Sequence, residues 1–250
     1  MNKYLRNLKR IEFVVTSACS GNCKHCSQGE HTSRENIDKH ISAAAVRKIA
    51  EKYNISSVMT FGGEPLLFPE TVYEIHKTAR EMNIPHRQLI TNGYFSRDER
   101  KMAAVAKMLS DSGINDILLS VDAFHQETIP LEPVKAFALL LSENNLPVRV
   151  HPAWLVSPTD DNPYNNKTRE LLREFIGTGI KISDGNVIFP SGNAIKYLGE
   201  YFDSENPTVD PYIEDPTNIK AISFSANGDI LGSNIYTRDI LEILSSYSPQ

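Results

Sequence analysis

Short apolar runs of strand character alternate with longer amphipathic runs of helical spacing along most of this chain, and that alternation limits the available folds more than any other feature. Strands are expected over 11–15 (IEFVV), 55–61 (ISSVMTF), 87–91, 116–121 and 148–156, with a weaker one over 181–189. Helices are expected between them, over 42–53, 69–82, 97–112, 132–145 and 167–178. Such an order specifies a parallel sheet covered by helices, because right-handed crossovers lay each helix on a sheet face. Close to six βα units result, which suit either an open doubly wound sheet or a partial barrel. Periodicity alone does not separate the two.

Ligands of parallel α/β sheets gather at the carboxyl ends of the strands. The segment leaving the first strand, TSACSGNCKHCSQ (residues 16–28), contains all three cysteines of the 250-residue chain: Cys19, Cys23 and Cys26. A disulfide framework does not fit an odd, closely spaced set without a visible secretory signal. Three thiols that can converge on one centre select a soft metal such as zinc, copper(I) or an iron–sulfur cluster. Zinc and a cubane cluster each want four ligands. His25 or His31 in the fourth position would make a Cys3His zinc site; a substrate or cofactor there would make the metal chemically active.

CSGNCKHC resembles the CxxxCxφC signature of the radical S-adenosylmethionine (SAM) enzymes, with His25 at the usually aromatic position. The resemblance implies an α/β fold of the partial (βα)6 TIM-like barrel kind. It also implies a [4Fe-4S] cluster held by Cys19, Cys23 and Cys26, with SAM chelating the fourth iron. Three further segments fit the same family in the expected order. Gly62-Gly63-Glu64 after the second strand is similar to its GGE motif, which implies contact with the SAM amino group; on their own terms, paired glycines permit close backbone approach and Glu64 adds an acceptor, although a plain strand-to-helix turn reads equally well. Asn92, in the turn Thr91-Asn92-Gly93, occupies the place of a further cofactor contact. Ser120 and Asp122 share one face by strand alternation and look like the family's ribose contacts; the plainer reading is that both cap the following loop. Pro190-Ser191-Gly192-Asn193-Ala194 resembles P-x-G-R-A, but Asn193 stands where the arginine of a carboxylate clamp would be.

The resemblance runs over residues 11–195 and leaves two regions, a barrel over 1–202 and a tail over 203–250. The tail opens with an acidic, proline-rich segment, followed by an expected hairpin turning at Asn227-Gly228 and a helix over 238–247. It resembles a twitch or SPASM appendage stripped of cysteines, so cysteine-ligated auxiliary clusters and a thiol hydrogen-atom donor are excluded for this chain. His125, Glu127 and His151 fall near the open end but read first as structural or solvated groups, and Trp154 and Phe124 as packing.

A net charge of −5 without a long basic run weighs against a duplex nucleic-acid partner. No segment approaches the ~18 to 20 apolar residues of a membrane span. A cytoplasmic, oxygen-sensitive enzyme is expected, reduced by a donor such as flavodoxin or ferredoxin and acting on a small metabolite, then a peptide, then a modified nucleotide in order of preference. The rival expectation is a non-catalytic zinc- or iron–sulfur-binding module, for which the cysteines alone suffice.

Overall fold

The computed structural model describes residues 2–30, 33–203, 205, 210 and 212–249. His31, weighed above as a zinc ligand, lies outside the described residues. Strands β1 (Arg10–Val14), β2 (Ser57–Phe61), β3 (His86–Thr91), β4 (Asp116–Leu119) and β5 (Val148–Val150) pair in parallel in sequence order. Between them run α1 (Lys39–Lys52), α2 (Pro69–Glu81), α3 (Glu99–Ser112), a single turn α4 (Ala123–Gln126) and α5 (Leu131–Glu143). Asp38 and Asp98 cap α1 and α3 by accepting from the first free backbone N–H groups, which fixes where those helices start.

The expected strands over 148–156 and 181–189 each break in two. Pro152 has no N–H to continue the ladder, so β5 stops and β6 (Ala153–Trp154) resumes beyond it. α6 (Pro163–Arg173) follows, and then β7 (Lys181–Ile182) and β8 (Asn186–Val187), separated at Gly185, whose φ of +75° a side chain would strain. β7 pairs with β5 and β8 with β6, so both kinked strands turn together.

After α7 (Asn193–Leu198), β9 (Ala221–Phe224) does not form the first arm of a separate hairpin. It joins the main sheet parallel to β1, giving the order β7-β5-β4-β3-β2-β1-β9. Phe224 stacks on Phe13 of β1, with ring centroids 4.6 Å apart and planes 7° from parallel. The Asn227-Gly228 turn does form, with Gly228 at φ +86° and β10 (Asp229–Ile230) returning to pair with β11 (Ser233–Asn234). Lys48 of α1 reaches Asp239, the N-cap of α8 (Ile240–Ser246), so the terminal helix is tied to the first one. The strand and helix beyond residue 202 thus extend the sheet and its helical layer.

Alternation along each strand separates two environments. Ile11, Phe13, Ile117, Leu119, Val148 and Val150 are buried against the helices, while Glu12 and Arg149 between them turn polar groups to the other face. Across that second face Arg10 donates to Glu12 and Gln88, and Gln88 and Arg149 both donate to Asp116. One hydrogen-bonded network therefore links β1, β3, β4 and β5 at the amino-terminal end of the barrel lumen, opposite the cysteine loop.

Candidate functional site

The cysteine loop leaves the carboxyl end of β1 and is fastened by segments following four other strands. Thr16 bridges to Asn36, and its hydroxyl donates to the Glu35 carbonyl at 2.7 Å while accepting from Ala18 N–H. From the turn after β2, Gly63 N–H donates to Thr16 O and Glu64 N–H to Ala18 O, each at 2.8 Å. A Cβ on Gly63 would lie 2.0 Å from the Ala18 carbonyl oxygen, and one on Gly62 2.6 Å from that of Thr16. The close approach foreseen for the two glycines is therefore made, among the described residues, to the cysteine loop itself. After β3, Asn92 Nδ2 stands 3.5 Å from Cys19 Sγ. Beyond β4, Thr128 Oγ1 accepts from Asn22 N–H at 3.0 Å. After β8, Asn193 N–H donates to Cys26 O and its side-chain amide to Cys23 O, and Gly192 presses so near that a Cβ would meet the carbonyls of Ser27 and Cys26.

Glu64 is fully buried. Its carboxylate accepts from Leu66 N–H at 2.8 Å, Thr91 Oγ1 at 2.7 Å and Asn92 N–H at 2.8 Å. It thus stitches the GGE turn to the Thr91-Asn92-Gly93 turn. Burial pushes its carboxyl up to about 7 despite the three donors.

Ser120 follows β4 directly, half-buried, its N–H donating to Thr91 O. Asp122 is wholly buried and is the N-cap of α4. One carboxylate oxygen accepts from Phe124 N–H and His125 N–H; the other accepts from His125 Nδ1 at 2.8 Å and Ala153 N–H at 3.1 Å. Burial alone would raise this carboxyl, but the adjacent His125 outweighs it and holds the group well below the usual carboxylate range. Ser120 and Asp122 therefore differ in kind: the serine lies open at the strand end, and the aspartate is engaged on both oxygens.

None of the three cysteines is joined in a disulfide. Burial pushes the Cys19 thiol up to about 11, with the Glu64 carboxyl and Cys26 adding to it. Burial raises Cys26 as well, and it raises Cys23 strongly, followed by the field of Asp122 and of the other two thiols. Three soft donors on one loop, each held protonated until a cation compensates the thiolates, and no fourth thiol in the chain, form a donor set that fits an iron–sulfur cluster with one iron left open. His25 is half-buried beside them, its ring 4.9 Å from Phe124 and 4.7 Å from His125; desolvation lowers its imidazolium to about 4.

Sequence reasoning missed the roles of His125, Thr128 and Asn193 in this assembly. α4 is one turn long, too short to leave a periodic signal. For Asn193 a signal was present, since the segment 190–194 was singled out; its partners, however, are the carbonyls of Cys23 and Cys26, which only the fold brings near. Of the residues read as structural or solvated, Glu127 pairs with Lys24 at the surface, Phe124 stacks on Tyr164, and the Trp154 indole donates to Asp184 O. His151 Nδ1 meets Ser183 Oγ at 2.8 Å on the lumen side.

The parallel sheet with its loops gathered at the carboxyl ends defines a TIM-like barrel of partial closure. Solved structures share this fold: SuiB of Streptococcus suis, in a complex with S-adenosylmethionine, superposes with a TM-score of 0.65 over 96% of this chain and 66% of that one at 14% identity. The AdoMet-bound anSMEcpe superposes with a TM-score of 0.58 over 93% of this chain and 75% of that one at 15% identity. The Radical SAM superfamily model matches residues 13–190, and this chain is a member of that superfamily. Its cofactors are those of the family, a [4Fe-4S] cluster and S-adenosylmethionine. Curated relatives include a probable GTP 3',8-cyclase of Methanocaldococcus jannaschii, 27% identical over 129 residues that make up 50% of this chain and 40% of that protein. The GTP 3',8-cyclase of Clostridium acetobutylicum is 24% identical over 202 residues, 73% of this chain and 61% of that one. The chain thus spans less than two thirds of the length of these relatives. Among the described residues, no helix is long and apolar enough to cross a membrane.

Proposed function

We propose that Cys19, Cys23 and Cys26 hold the cluster, that the Gly62–Glu64 edge, Asn92 and Ser120 line the S-adenosylmethionine site, and that a small metabolite occupies the polar lumen of the barrel. Bound there, the two cofactors would supply the one-electron radical chemistry for hydrogen-atom abstraction, and the chain's residues would hold them. The observation that carries this reading is the fastening of the cysteine loop by the segments after β2, β3, β4 and β8, which gathers every candidate residue at one end of the sheet.

Each chain residue has a distinct part. The paired glycines let the second βα turn dock on the cysteine loop. Glu64 holds that turn against the Asn92 turn, and Asp122 orients His125 and the start of α4 rather than offering a free oxygen to a ribose. His151 and Arg149 present polar groups to the lumen below the cysteine loop. The enzyme works in the cytoplasm with flavodoxin or ferredoxin as reductant.

The test is the electron paramagnetic resonance spectrum of anaerobically reconstituted, dithionite-reduced protein with and without S-adenosylmethionine. A [4Fe-4S]+ signal that changes on addition of the cofactor, and disappears in Cys19→Ala, Cys23→Ala and Cys26→Ala, is the expected result. Stoichiometric zinc and a silent spectrum would overturn the assignment. GTP is the first metabolite to offer, given the names of the curated relatives; formation of 5'-deoxyadenosine coupled to GTP loss supports it, and uncoupled cleavage sends the search to other metabolites.

A further inference from the structure

We infer that Cys23, His25 and His125, with Asp122 behind His125, form a second metal site, a tetrahedral Zn2+ site that shares one thiol with the cluster and competes with it. The inference rests on the reading that Cys23 is a cluster ligand, because only then are the two occupants mutually exclusive.

One ligand atom from each of Cys23, His25 and His125 lies within 4.8 Å of the other two. Zinc bond lengths of about 2.3 Å to sulfur and 2.0–2.1 Å to nitrogen put tetrahedral ligand atoms about 3.4–3.6 Å apart. A contraction of little more than about 1 Å closes the site, within reach of side-chain rotation in the two rings. The donors are a thiol and two imidazoles, a set that suits zinc.

Two independent features show that the donors are prepared for a metal. His25 Nδ1 is buried and makes no hydrogen bond among the described residues, an arrangement that leaves an acceptor lone pair unsatisfied unless an electrophile fills it. His125 uses Nδ1 to reach the Asp122 carboxylate at 2.8 Å. Its Nε2 is then the nitrogen with a lone pair to give, and a carboxylate behind the opposite nitrogen is the usual support of a zinc-bound histidine. Asp122 is itself fixed by three backbone N–H groups, those of Phe124, His125 and Ala153, so the imidazole it orients is held before any ion arrives. A Cys23 thiolate and the Asp122 carboxylate would place two negative charges in one buried region, and a divalent cation between them balances both. The fourth position of the zinc is open to water.

This donor set differs from a Cys3His site, which would use all three thiols and no residue beyond the loop. It also gives the protein two alternative metallation states: with zinc across Cys23, His25 and His125, only Cys19 and Cys26 are left for iron, too few for the cluster. Zinc would therefore hold the chain in a form that cannot cleave S-adenosylmethionine, and removal of zinc would be a required step before cluster assembly.

The experiment is titration of cluster-free, chelator-treated full chain with Co2+ and then Zn2+ under anaerobic conditions, reading the cobalt d–d and thiolate-to-cobalt absorption and the competition by zinc. Wild type should bind one ion with the intensity of a tetrahedral site and one thiolate. Cys19→Ala should bind it unchanged although it cannot assemble the cluster, and His125→Phe should weaken it by at least about 10–100-fold, the loss that even an outer partner of a ligand produces. His125→Gln is the second variant, with circular dichroism confirming the fold of each. If Cys19→Ala loses the metal while both His125 variants keep it, the ion sits on the three thiols and the inference is overturned; octahedral, thiolate-free cobalt overturns it as well. Iron and sulfide reconstitution of the zinc-free wild type tests the cluster reading separately, so failure of one is distinguishable from failure of the other. With both correct, one equivalent of Zn2+ added beforehand blocks reconstitution in wild type and not in His125→Phe.

Discussion

Glu64 offers a prediction whose size can be worked from the structure. Its carboxyl is fully buried and moved from an ordinary 4.5 to about 7, with desolvation as the cause that outweighs the donors Thr91, Leu66 and Asn92. A carboxyl raised in the folded state binds its proton more tightly there than in the unfolded chain. Its stabilising contribution is therefore complete below about pH 4.5 and is lost as pH rises through about 7, a change of about 3 kcal/mol. The amide introduced by Glu64→Gln cannot titrate. It also turns an amide N–H toward Asn92 N–H, and leaving that donor unpaired costs about 1–3 kcal/mol at every pH. Urea unfolding of cluster-free wild type and Glu64→Gln between about pH 4.5 and 8 separates the two effects. Other buried groups titrate equally in both proteins and cancel in the difference. The advantage of wild type should shrink by about 3 kcal/mol from the acid end to the alkaline end of that range. A difference that stays constant with pH would refute the reasoning, since the carboxyl would then be as well solvated folded as unfolded. The same geometry means that lost S-adenosylmethionine binding in Glu64→Ala would not by itself distinguish a ligand contact from collapse of two turns.

Gly63→Ala should abolish cluster loading, measured as bound iron, because its Cβ would sit 2.0 Å from the backbone oxygen of Ala18, where no side chain can yield. Phe224→Ala should cost about 3–5 kcal/mol in denaturant unfolding, since Phe224 stacks on Phe13 inside the shared core; a cost below about 1 kcal/mol would mark the segment after residue 202 as a separable unit. His76 is buried, bonded to Thr60 through Nε2 and lowered to about 3 chiefly by desolvation. Its neutral form stabilises the fold above about pH 6.5, and that stability is lost as pH falls toward 3. The double change Thr60→Val with His76→Leu should therefore flatten acid unfolding followed by circular dichroism, at little cost near neutrality.

The order of strands and helices was legible because each is a local pattern, and β1 to β4 lie within a few residues of their expected spans. Boundaries failed where one residue intervened. Pro152 and Gly185 split the two late strands, and both were visible in the sequence, but their effect depends on two kinks lying side by side. β9 could not be placed, because AISF carries no mark of its partner; burial of Ile222 and Phe224 beside Ile11 and Phe13 selects β1. At the site, Asp122 was visible as a polar residue at a strand end. That both its oxygens are taken, one of them by Ala153 thirty-one residues on, was not.

By itself the sequence determined the parallel α/β class and the soft-metal chemistry of the loop, since periodicity sets which faces are buried and thiol spacing sets which ions can be chelated. Only the tertiary structure decided what Gly62 and Gly63 approach, which donors Glu64 and Asp122 serve, and that His125 stands beside Cys23 and His25. Those are contacts between residues tens of positions apart, and they exist only after the helices have packed on the sheet and brought the strand ends together.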